Sequence, residues 1–109
     1  MKLYLVHCGF YDSTVCDGLY ESHVNFFVAA TSFEEARIKA KQLPEFSAKR
    51  MHVDGLQEIA AVGGYRIQLA EDLSLENQTL ILNHKHRDLA PKPTSLPPSP
   101  SGPPLQGAT

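Results

Sequence analysis

One stretch, Lys49 to Leu69 (KRMHVDGLQEIAAVGGYRIQL), limits the fold of this chain more than any other. Gly63-Gly64 supplies two adjacent residues free to take positive φ, which a two-residue hairpin loop demands. Beyond it Tyr65, Ile67 and Leu69 alternate with Arg66 and Gln68, the period of a strand with one solvated face. Before it, Asp54-Gly55 reads as a bulge inside one long strand, because Leu56 to Ala61 keeps a strand-like composition. The stretch therefore predicts an antiparallel hairpin. It also carries the polar set His52, Asp54 and Glu58.

The preceding segments supply partners for that hairpin. Residues 2–10 (KLYLVHCGF) are apolar and too short for a helix, which predicts a strand. Leu3, Leu5 and His7 lie on one face of it, and Tyr4, Val6 and Cys8 on the other. Residues 11–22 hold Asp12, Ser13, Asp17 and Gly18 and read as a loop. A second strand is expected over 23–30, with Val24, Phe26 and Val28 on one face and His23, Asn25 and Phe27 on the other. Ser32 and Glu35 then form an S-x-x-E capping box, and Phe33, Ala36, Ala40 and Leu43 recur at helical spacing. A helix over 32–43 follows, closed by Pro44. PEFSA reads as a connection, and residues 78–84 (QTLILNH) as a last strand.

From Pro91 onward the chain holds seven of its eight prolines. Such a segment buries too little apolar area to offset its ordering cost, so residues 89–109 are expected to be a disordered tail behind a single domain at 1–88. The tail contains a PxxP spacing, Pro100 to Pro103, read as linker. The fold expected is α+β: a mostly antiparallel sheet of four or five strands with one covering helix, in the order ββαββ(β). One helix covers one face of a sheet, so a homodimer is expected to bury the other.

Net charge is −2, with acids and bases mixed along the chain, which argues against a nucleic-acid partner. No apolar run approaches a membrane span, and Cys8 and Cys16 are too few for a disulfide framework. These features suit a cytoplasmic protein without a membrane partner.

The residues Met51 to Ile59 (MHVDGLQEI) and Gly64 to Ile67 (GYRI) resemble motifs of a small bacterial family known only as a domain of unknown function. Leu3 to Gly9 matches its opening strand, and Glu21-Ser22-His23 its Glu-x-His before a strand. The resemblance covers about residues 1–70 and implies an α+β domain, sometimes present as two copies in one chain. Leu80 to Asn83 (LILN) echoes Leu3 to Val6 (LYLV) as the start of a second copy would. The resemblance implies no activity.

His52, Asp54 and Glu58 share strand parity in a regular strand. With His23 from a neighbouring strand they form the candidate site, a nitrogen–oxygen set suited to zinc or manganese or to acid–base work. The metal candidates within it are His23, His52 and Asp54. The plain alternative is a solvated face with a cross-strand ion pair. A bulge at Gly55 would break the parity and send Glu58 elsewhere. Cys8 reads as a small buried hydrophobe, since His7 points to the opposite face. His84, Lys85, His86 and Arg87 form a basic exit from the domain. The H-R-D-L pattern there lacks the Asn of a kinase loop, Pro93 standing in its place. No cofactor motif is evident. The favoured function is a self-associating module that binds a protein or small molecule without catalysis; the alternative is a small metal-dependent or acid–base enzyme using the His/Asp/Glu cluster.

Overall fold

The computed structural model describes residues 1–85 and Arg87. The expected tail and His86 lie outside the described residues. The chain divides into two units, 1–69 and 70–109.

The first unit is α+β. Strand β1 (Lys2–Tyr11) pairs antiparallel with β2 (Glu21–Ala30) on one side and with β3 (His52–Glu58) on the other, giving the order β2-β1-β3. Period-2 alternation sorts the side chains of β1. Tyr4, Val6, Cys8 and Phe10 are buried on one face, with Val28 and Ala30 of β2 beside them. Helix α1 (Phe33–Lys41) covers this face through Ala36 and Ala40, both fully buried. Alanines at these positions let the helix backbone approach the strands closely. Phe33 adds an edge-on contact to Tyr4, ring centroids 5.0 Å apart.

The start of α1 follows its cap. Ser32 Oγ accepts the Glu35 N–H at 3.1 Å. The Glu35 carboxylate turns to the Thr31 hydroxyl and to Lys39, 3.1 Å away. These bonds, the Thr31 hydroxyl first, hold the Glu35 carboxyl below its ordinary range.

PEFSA is helical, which corrects its reading as a connection. It forms a short helix, α2 (Pro44–Ala48), with Pro44 in its first turn, where the missing N–H costs nothing. Its end is a Schellman turn: Met51 N–H reaches the Phe46 carbonyl at 3.0 Å, and Arg50 N–H reaches that of Ser47 at 3.2 Å. Arg50 takes φ 49°, left-handed backbone usually given to glycine. The turn drops Met51 into the core and delivers the next residue, His52, to the start of β3.

The predicted bulge is present. His7 pairs with Gly55 and Cys8 with Val53, leaving Asp54 as the extra residue. Gly63 and Gly64 take φ 58° and 89°, the turn expected between two short strands, β4 (Ala61–Val62) and β5 (Tyr65–Arg66). This hairpin forms a sheet of its own, so the five strands among the described residues fall into sheets of three and two. The long strand expected from His52 breaks after Glu58, because β1 rather than β5 pairs with it.

In the second unit a 3-10 turn at Leu73–Leu75 is capped by Asp72, which accepts from the Ser74 N–H at 3.0 Å. Residues 78–84 carry no strand, contrary to expectation, and Leu80, Ile81 and Leu82 are exposed. β-propensity without a ladder partner does not make a strand.

Candidate metal centre

The sheet face away from α1 is open, and the bulge decides which polar residues meet on it. His52 and Asp54 both project there, and Gly55 opposes His7 on the same face. From Leu56 onward the parity is inverted, so Glu58 lies on the other face and pairs with Lys2 at 3.7 Å. Glu58 is thus removed from the candidate set. Glu21 takes its place from the opposite edge. It opens β2 two residues before His23 and so shares its face.

Four side chains from the two outer strands converge above the central strand. His52 Nε2 lies 2.8 Å from Glu21 Oε1 and 3.1 Å from Asp54 Oδ1. His23 Nε2 lies 3.2 Å from the same Glu21 oxygen and 3.2 Å from Asp54 Oδ2. The two imidazoles share one Glu21 oxygen, and the ring closes through the Asp54 carboxylate, which turns one oxygen to each histidine. For comparison, tetrahedral zinc with bonds of about 2.0–2.1 Å has donor–donor edges of roughly 3.3–3.4 Å. The four contacts are about 0.1–0.6 Å shorter than such edges, and because Asp54 presents a different oxygen to each histidine, the side chains must rotate for four donor atoms to face one ion.

The floor of the ring is Gly9, which pairs with His23 on one side and His52 on the other. A Cβ here would stand 2.0 Å from Glu21 Oε1, 2.6 Å from Asp54 Oδ2 and 2.7 Å from His52 Nε2. Only glycine leaves room for the ring. All four members are partly solvated, so an ion has access from above.

His7 extends the cluster along β1. Its ring stacks on that of His23, centroids 4.7 Å apart and planes 8° from parallel. Its Nδ1 lies 2.6 Å from Asn25 Oδ1. A carbonyl oxygen only accepts, so Nδ1–H donates, and in the neutral ring Nε2 keeps the free lone pair. Donor atoms of His7, His23 and Asp54 lie within 4.8 Å of one another, as do those of Glu21, His52 and Asp54. Near-parallel stacked rings direct their lone pairs side by side rather than to one point. His7 is therefore a neighbour of the ring and not a natural member of it.

Cys8, on the covered face, takes no part. Burial, then the negative charge of Asp54, raises its thiol above the ordinary value. Cys16 is exposed on the β1–β2 loop, where it takes φ 47°. His84 belongs to the second unit.

His23, His52 and Asp54 are thus brought together and Glu58 is not. Sequence reasoning missed Glu21 and His7 as site residues. The signals were available: Glu21 stands at i−2 from His23, and His7 shares a strand face with Gly9.

Among the described residues no helix is long and apolar enough to cross a membrane. No curated protein and no solved structure matches the chain. Residues 18–69, which carry Glu21, His23, His52 and Asp54, match the model of a family described as a domain of unknown function, DUF1543.

Proposed function

We propose that this domain binds one divalent transition-metal ion of the zinc class through Glu21, His23, His52 and Asp54, and acts as a small metal-dependent module. The observation that carries the reading is the ring of two imidazole nitrogens and two carboxylates above the bare backbone of Gly9. Two carboxylates offset a divalent charge, and the nitrogen–oxygen mixture suits zinc and its neighbours better than magnesium or calcium. Of the two functions expected from the sequence, this arrangement favours the metal-dependent one. The test is zinc titration of the metal-stripped full chain against a chromogenic chelator. One equivalent binds to wild type, and Glu21→Ala lowers the affinity more than 100-fold, beyond the 10–100-fold typical of changes outside the ligand set. Equal affinity in the two would refute the assignment. So would the absence of zinc binding; the ring would then be a charge-paired clasp between strands.

A second reading, self-association, draws on the other end of the same face. Leu3, Leu5 and Phe27 lie there, and Phe27 is 47% exposed. A homodimer would cover them, and sedimentation giving a clean monomer at micromolar concentration excludes it. The free thiols of Cys8 and Cys16 suit a reducing, cytoplasmic setting.

A further inference from the structure

Beside the ring, on the same sheet face, a recess of about 380 Å³ is lined by Leu5, His7, Asn25, Gly55, Leu56 and Gln57. We propose that this recess seats a small uncharged molecule bearing a carboxamide or similar donor–acceptor group. The inference is separate from metal binding and stands on the walls of the recess.

Its space comes from the bulge. Register places Gly55 directly opposite His7, where any other residue would project a side chain onto the open face. A Cβ built at Gly55 meets nothing within 4 Å, so glycine here leaves room that no neighbour fills. Its volume falls at the small end of ligand sites, which run to about 300–1,000 Å³.

Its chemistry comes from three polar groups. The bond from His7 Nδ1–H to Asn25 Oδ1 fixes both side chains. It leaves the Asn25 amide with N–H groups to donate and, with the His7 proton on Nδ1, the ring's Nε2 to accept. Gln57, exposed on the opposite wall, can do both. Leu5 gives an apolar surface for the body of the molecule, while Leu56, opposite Val6, turns its side chain to the covered face and borders the recess through its backbone. The wall carries no lysine, arginine, aspartate or glutamate, so a charged ligand would lose hydration without an opposite charge against it. Asp54, next to Gly55 in the chain, further disfavours an anion. A carboxamide satisfies the donors and acceptor together at no cost in charge.

Benzamide and benzoate, nearly equal in shape and different in charge, test this on the full chain by two-dimensional amide NMR. Benzamide should shift the backbone amides of Leu5, His7, Asn25, Gly55 and Gln57 saturably, with a dissociation constant on the order of 1 mM for so small a molecule. Benzoate should bind at least 10-fold more weakly. Gly55→Leu, which fills the recess, should abolish the benzamide shifts. Asn25→Ala should weaken them several-fold and serves as the second variant if Gly55→Leu does not fold. Equal response to benzoate, shifts that survive both substitutions, or no saturable shift would each overturn the proposal. Each titration is run on zinc-treated and on metal-stripped protein, with zinc content measured separately. Failure of metal binding is therefore read apart from failure of the recess.

Discussion

Gly9→Ala is the smallest change that separates the proposed centre from the fold that carries it. The added Cβ would stand 2.0 Å from Glu21 Oε1, where ordinary contact begins at 3.4 Å. Glu21 must therefore retreat by about 1.4 Å, the difference between those two distances, and the ring contacts of Asp54 and His52 must open by about 0.8 and 0.7 Å on the same reckoning. All three obstacles are the far ends of side chains at partly solvated positions, so they can move without moving the strands. Gly9 does not have positive φ, and alanine there gains about 0.4–1 kcal/mol by restricting the unfolded chain. That gain roughly offsets the adjustment, so without metal the melting temperature should change little. With metal the two proteins should part. Zinc at 100 times its dissociation constant stabilises wild type by about 2.7 kcal/mol. For a domain of 60–100 residues, at about 4–8 °C per kcal/mol, that is a rise of roughly 11–22 °C. A 100-fold loss of affinity in Gly9→Ala would reduce the stabilisation at the same zinc concentration to about 0.4 kcal/mol, a few degrees at most. Thermal melts of both proteins with and without zinc decide it. A Gly9→Ala variant that folds and gains as much from zinc as wild type refutes the reasoning.

The bulge assigns opposite fates to two residues six apart in one strand. His52→Ala should lower zinc affinity by more than 100-fold, whereas Glu58→Ala should leave it within about 2-fold and cost no more than about 1 kcal/mol through its surface pair with Lys2; competition with a chelator and urea unfolding check the pair. Arg50→Gly should stabilise the domain by about 0.5–1 kcal/mol in urea unfolding, since the left-handed residue of the Schellman turn no longer carries a Cβ. Thr31→Val removes the main group depressing the Glu35 carboxyl. A carboxyl depressed in the folded state stabilises above its unfolded value, near pH 4.3, and that contribution is lost as pH falls through the folded value. The variant should be less stable than wild type at neutral pH, with the gap closing in acid; a gap that is flat with pH would contradict this.

The legible part of the fold was whatever follows from local period and local turn chemistry. The faces of β1 follow from strict alternation between Leu3 and Cys8, and α1 from Ser32, Glu35 and the buried pair Ala36 and Ala40. The Gly63-Gly64 turn and the bulge at Asp54 were legible for the same reason. What escaped depended on distant partners. Glu21 reads as the end of a loop until β1 extends the pairing of β2 to Tyr11 and Glu21. Glu58 matches His52 and Asp54 by simple parity, and only the ladder to β1 shows that the parity is inverted beyond the bulge. Leu80 to Leu82 have the composition of a strand without a strand to pair with. PEFSA is too short to show helical periodicity, and its helix rests on Pro44 at the first turn and the Schellman bonds at the last. Gly9, the residue that makes the ring feasible, looks in the sequence like the end of a strand.

The most direct test of the central claim is native mass spectrometry of the full chain after incubation with zinc and removal of excess metal. It compares wild type with the double variant His23→Ala/His52→Ala. The account predicts one zinc per wild-type chain and none on the double variant, both folded. Zinc retained at the same stoichiometry by the double variant, or none retained by wild type, would contradict it.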